Sequence, residues 1–93
     1  MGQKRETTIY IVKLWAEHNG FEQTVDGCLY KQLPFGVLSI TFEEEDVLAV
    51  FQNSSVKIEE RLLIIHLGGT HAENIMPYWM KEILYRYINT LFR

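Results

Sequence analysis

Ninety-three residues, 47% of them apolar and 23% charged, have the composition and length of one globular domain. Nine basic against twelve acidic side chains give a formal charge of −3. The basic ones are scattered rather than gathered among aromatics, which argues against nucleic acid as a partner. The longest uninterrupted apolar run, Leu62 to Ile65, is far too short for a bilayer, no signal-type run follows the polar Met1–Glu6 start, and the lone Cys28 fits a reducing compartment. The expectation is a cytoplasmic protein without membrane association.

The first periodic segment, Arg5 to His18, reads as a helix that Gly20 closes in the left-handed conformation, with Phe21 as the apolar residue just beyond. Two signals compete with this. Thr7 to Val12 is rich in β-branched residues, and Asn19-Gly20 also suits a two-residue hairpin turn.

From Phe21 the pattern turns to β. Phe21 to Val25 and Cys28 to Leu33 flank Asp26-Gly27, a pair suited to a type I′ hairpin turn. Pro34-Phe35-Gly36 makes the next break. Val37 to Phe42 then alternates, with Leu38, Ile40 and Phe42 on one face and Ser39 and Thr41 on the other. The acidic run Glu43 to Asp46 reverses the chain into a strand over Val47 to Gln52, and Asn53-Ser54-Ser55 turns it again. Val56 to Leu67 is long enough for the main strand of the sheet. Its alternation fails at Glu59-Glu60-Arg61, where a bulge is expected, and Leu62 to Ile65 read as central and covered.

Gly68-Gly69 ends the sheet. Thr70 and Glu73 have capping-box spacing, but a helix begun there would carry Pro77 in its interior. Asn74 as N-cap places Pro77 in the first turn and leaves His71 to Glu73 as a short lead-in to a helix over Ile75 to Arg93. The whole of residues 1–93 is thus expected to be a single α+β domain. Its architecture is a two-layer sandwich with an N-terminal helix, an antiparallel meander of four or five strands, a long C-terminal helix, and both helices on one face of the sheet. The other face, with Ser39, Thr41 and charged residues, is expected to be partly wet.

Motifs for chemistry are sparse. His66 and His71 flank Gly68-Gly69, and a glycine-rich turn before a helix exposes amides that can hold an anion, so His66, Gly69 and His71 are a candidate anion or small-molecule site. The chain has neither GxxxxGK[ST] nor GxGxxG, and neither glycine is followed by a phosphate-loop lysine. His18, His66, His71 and Cys28 match no compact zinc spacing, and Glu43 to Asp46 lack the glycine of a calcium loop, so no metal or cofactor is expected. GxSxG and HExxH are absent, and Glu59 and Glu60 point to opposite faces of a strand, so no catalytic residue is assigned.

The C-terminal helix carries the functional expectation. Its apolar surface is wider than the stripe of roughly 100° that an ordinary surface helix buries. Tyr78, Lys81, Tyr85, Ile88 and Phe92 form a second stripe beside the one that faces the sheet. The expected partner is a protein, and first of all a second copy: a homodimer with Tyr85, Ile88 and Phe92 as anchors and Tyr78 and Lys81 at the rim. The competing reading is an acidic regulator that engages a basic protein through Glu43 to Asp46 with Glu59 and Glu60.

Overall fold

The N-terminal segment folds as helix α1, Gly2–His18, in a computed structural model that describes the backbone of residues 2–92 and the side chains of residues 4–69 and 71–92. Its end is a Schellman closure. Gly20, at φ 85°, lets its own amide donate to the Glu17 carbonyl at 3.3 Å while the Phe21 amide donates back to the Ala16 carbonyl at 2.9 Å. Phe21 then lies against Trp15, ring centroids 5.7 Å apart. The β-branched run is therefore helical here. Its inward residues, Thr8, Val12 and Ala16, are fully buried, and packing outweighs the modest propensity penalty.

The sheet is an antiparallel meander in the order β1 (Glu22–Gln23), β2 (Leu29–Leu33), β3 (Gly36–Phe42), β4 (Asp46–Gln52), β5 (Lys57–Leu63). Register explains why it has one dry face. Leu38 pairs with Phe51, which pairs with Ile58, and Leu29 pairs with Ile40, which pairs with Ala49. All six point to one side, and all six are buried. Each of the large ones contributes about 1.5–3 kcal/mol through burial. The opposite side presents Tyr30, Ser39, Thr41, Val50, Glu59 and Arg61, none of them buried.

The β1–β2 hairpin departs from expectation. Within this turn only Gly27 has positive φ, at 88°, and Asp26 does not, so Asp26-Gly27 cannot form the type I′ turn that needs two such angles. The chain instead makes a three-residue connection. The Thr24 amide donates to the Cys28 carbonyl at 2.8 Å and the Gly27 amide donates to the Thr24 carbonyl at 3.0 Å, which shortens β1 to two residues.

The segment after Asn53 differs more. β5 is a regular edge strand of seven residues, paired without interruption from Gln52↔Lys57 to Asp46↔Leu63, and carries no bulge. The alternation fails for another reason. Glu60 faces the helix layer, where Arg86 donates to its carboxylate. Ile64–Leu67 is not strand but a single helical turn, α2. The ladder ends where the Ile64 amide donates to the Glu45 carbonyl at 2.8 Å, so the chain leaves the sheet; Ile64 is buried and Ile65 is 67% exposed.

Gly68 and Gly69, at φ 68° and 60°, lead through a 3₁₀ turn (Gly69–His71) into helix α3, Ala72–Leu91. His71 is already in right-handed helical geometry, so α3 grows out of that turn and Asn74 is not its cap. Pro77 falls inside the helix in consequence, and the Glu73 carbonyl loses its amide partner on a turn where Glu73 and Pro77 both face solvent. The Thr70 side chain and Arg93 lie outside the described residues. Met76, Trp79, Met80 and Ile83 of α3 are buried against the same face of the sheet that α1 helps to cover. The result is an α+β fold with an N-terminal helix, a five-stranded antiparallel meander and a long C-terminal helix. Among the described residues no helix is long and apolar enough to cross a membrane.

Candidate interaction surface

Helix α3 is anchored before it is offered. Tyr87 stacks on Phe35 with centroids 5.6 Å apart and meets Phe51 at 4.6 Å, and Phe51 in turn lies under the β2–β3 turn. Arg86 reaches the β5 carboxylate of Glu60. One flank and the inner face of the helix are thereby fixed to the body.

Its outer face is bare. At 100° per residue Tyr85 sits about 180° round the helix from buried Met76, and Tyr78, Lys81, Ile88 and Phe92 fall within about 60° of Tyr85. Tyr78, Tyr85 and Phe92 are therefore on the far side of the helix, with Lys81 and Ile88 toward the edge of the buried stripe. Tyr78 is 75% exposed, Tyr85 61%, Ile88 41% and Phe92 83%, and Lys81 is exposed with them. Leu91 belongs to the inward half of the helix yet is 61% exposed. The last turn of α3 therefore overhangs the body, with Ile88, Leu91 and Phe92 clustered on it. Tyr78 and Tyr85 extend this exposed surface back along the helix, each an aromatic ring with a hydroxyl that tolerates water. In the sequence the place of Leu91 in the inward arc hides its exposure.

The glycine turn is built differently from an anion cradle. The Gly68 amide donates to the Ile65 carbonyl at 3.3 Å, the His71 amide to the Gly68 carbonyl at 3.1 Å, and the Gly69 amide to Thr8 Oγ1 at 3.0 Å in a buried contact. Those three donors are already engaged within the protein. His66 and His71 are both exposed.

The acidic run is also tied down. Arg5 donates from Nε to the Glu44 carbonyl at 3.0 Å and from Nη2 to the Glu43 carbonyl at 3.1 Å, and Arg61 donates from Nε to the Glu43 carboxylate at 3.0 Å. The Arg61 hydrogen bond holds the Glu43 carboxyl below its ordinary pKa and raises that of Arg61. Glu43 and Arg61 neutralise one another, while Glu44 and Glu45 point to solvent. Glu60 is taken by Arg86 and Glu59 by Lys57 at 3.1 Å.

Sequence reasoning missed one concavity. A cleft of about 470 Å³ opens between the first turns of α1, the β3–β4 turn and the β5–α2 junction, with Leu63, Ile64 and Ile65 as apolar lining and Arg5, Thr8 and Glu44 at its border. Its walls come from three distant segments, so no local spacing announces it. Among the described residues no three histidine, cysteine or acidic side chains gather as a metal site would require. Cys28 sits on the open sheet face with Sγ 3.2 Å from Thr41 Oγ1. No family model, curated protein or solved structure gives a significant match to this chain.

Proposed function

We propose that this chain is a small protein-interaction and assembly module that joins a second copy of itself through the outer stripe of α3. The observation that supports the reading is the four large apolar side chains, Tyr78, Tyr85, Ile88 and Phe92, left exposed on the outer side of a helix whose inner face and one flank are fixed to the body. Tyr85, Ile88 and Phe92 are the anchors, and Tyr78 and Lys81 form the water-tolerant rim. The acidic reading has less behind it, because Glu43, Glu59 and Glu60 each already face a cation of their own chain.

The test is sedimentation of the double variant Ile88→Asp, Phe92→Asp beside the wild type. Both positions are exposed, so the variant is expected to keep the wild-type circular dichroism and to sediment as a smaller species. Wild-type and variant species of equal mass across the concentration range would refute the proposal.

A further inference from the structure

The outer edge of β5 has a hydrogen-bonding pattern that can be deduced from its inner one. The Asn53 amide donates to the Val56 carbonyl at 3.0 Å, and the Ile64 amide donates to the Glu45 carbonyl at 2.8 Å. Hydrogen-bonded pairs alternate along an antiparallel ladder, so the pairs between these two ends are Phe51↔Ile58, Ala49↔Glu60 and Val47↔Leu62. Ile58, Glu60 and Leu62 direct their amides and carbonyls toward β4. Lys57, Glu59, Arg61 and Leu63 direct theirs outward, and their side chains are exposed. Among the described residues β5 is the last strand of the sheet, with no strand beyond it. The opposite edge, β1, is only two residues long.

A long, regular, proline-free edge strand is a template for another strand, and natural sheets usually blunt it. Here the charges select rather than forbid a partner. We infer that β5 pairs antiparallel with β5 of a second copy, in the register whose two-fold axis passes through Glu60.

Symmetric registers centred on any residue from Ile58 to Leu62 let the outward groups bond to one another, but those centred on Ile58 or Leu62 pair only three residues of the strand, which leaves three to weigh. Centred on Glu59, the pairing would oppose Glu59 to Glu59 and Lys57 to Arg61. Centred on Arg61, it would oppose Arg61 to Arg61. Centred on Glu60, it sets Glu59 across from Arg61 twice on the open face and Ile58 across from Leu62 twice on the helix face, pairs that each stabilise a sheet by about 0.2–1 kcal/mol. This register also uses all seven residues and forms up to about eight backbone hydrogen bonds. Glu59 and Arg61 exchange their present exposed partners, Lys57 and Glu43, for each other, and such exposed pairs are worth little to give up.

The one like-charged pair, Glu60 with Glu60, is met by Arg86 from each copy. Two carboxylates and two guanidiniums then make a neutral cluster on the axis. Helix α3 packs against both β4 and β5, so the two copies of α3 would run side by side at roughly 10 Å, a normal packing distance. Their near flanks carry Arg86 and Glu82, while Tyr85 and Phe92 stay on the outer side. This contact is separate from the α3 stripe, and a chain that uses both assembles beyond a dimer.

The test is amide hydrogen exchange of the full chain, read residue by residue at micromolar and millimolar concentration. The amides of Lys57, Glu59, Arg61 and Leu63 are expected to exchange at least about tenfold more slowly at the higher concentration. Glu59→Pro, which removes an outward amide and leaves the β4 ladder intact, abolishes that protection. So does either charge reversal, E59R or R61E, while the double reversal restores it. The Ile88→Asp, Phe92→Asp variant keeps it. Exchange at the four amides that does not vary with concentration in the wild type overturns the inference whatever the variants do. Failure of the double reversal to restore protection, or its loss in the α3 variant, overturns it equally.

Discussion

Single atoms decide the fit at two positions in the body. A Cβ at Gly36 would lie 2.6 Å from Phe51 Cζ and 2.8 Å from the Gln52 carbonyl oxygen, so the ring of Phe51 occupies the space that any side chain there needs. Gly36→Ala is expected to lower stability by about 1–3 kcal/mol, read as a lower urea midpoint with an unchanged slope. Thr8 is fully buried, donates to the Lys4 carbonyl at 2.8 Å and accepts the Gly69 amide. Thr8→Val orphans that amide and should cost about 1–3 kcal/mol, whereas Thr8→Ser should keep most of the stability. Glu43 is a surface case. Its folded pKa is depressed by Arg61, so the stabilisation from this pair is complete above the unfolded value of about 4.3 and is lost as pH falls through the lower folded value. A carboxyl resonance of Glu43 that titrates below the ordinary glutamate range, and returns to it in Arg61→Met, checks the sign.

At the scale of elements, legibility in the sequence followed how local the cause was. The Gly20-Phe21 closure of α1 was readable because a Schellman end needs only a left-handed glycine and one apolar residue after it. Alternation in β3 was readable because Leu38, Ile40 and Phe42 face one covered side. The meander order followed from short connections. The misreadings share a tertiary cause. Leu62 to Ile65 has the composition of a buried strand, and nothing in it marks the point where β4 runs out and α2 begins. Glu60 looked like a break in pattern because its partner, Arg86, is 26 residues away. Pro77 by itself reads as a helix start, because a proline costs least there, yet the 3₁₀ turn carries the helix past it. Pro77→Ala restores the missing amide and is expected to raise stability by about 1–2 kcal/mol, part of the roughly 3 kcal/mol interior penalty being offset by the freer unfolded chain. A thermal melt with no gain would mean that the exposed Glu73 carbonyl is fully satisfied by water.

On the scale of the whole molecule, one layer of two helices on one face of a single sheet buries a small core and leaves three surfaces without cover. They are the open sheet face, the β5 edge and the back of α3. The apolar excess of α3 was legible from its periodicity alone. Its true orientation was not, because periodicity gives the angle between two stripes but not how far the helix overhangs its support. Leu91, in the inward arc yet 61% exposed, marks where that support ends. On this reading the outer stripe becomes covered when chains meet. Residue-resolved radical footprinting tests it with a built-in control, since Tyr10 of α1 is 60% exposed and Tyr85 of α3 is 61% exposed in one chain. Modification of Tyr78, Tyr85 and Phe92 is expected to fall several-fold as concentration rises while that of Tyr10 does not change. Equal modification of Tyr85 and Tyr10 at every concentration would contradict it.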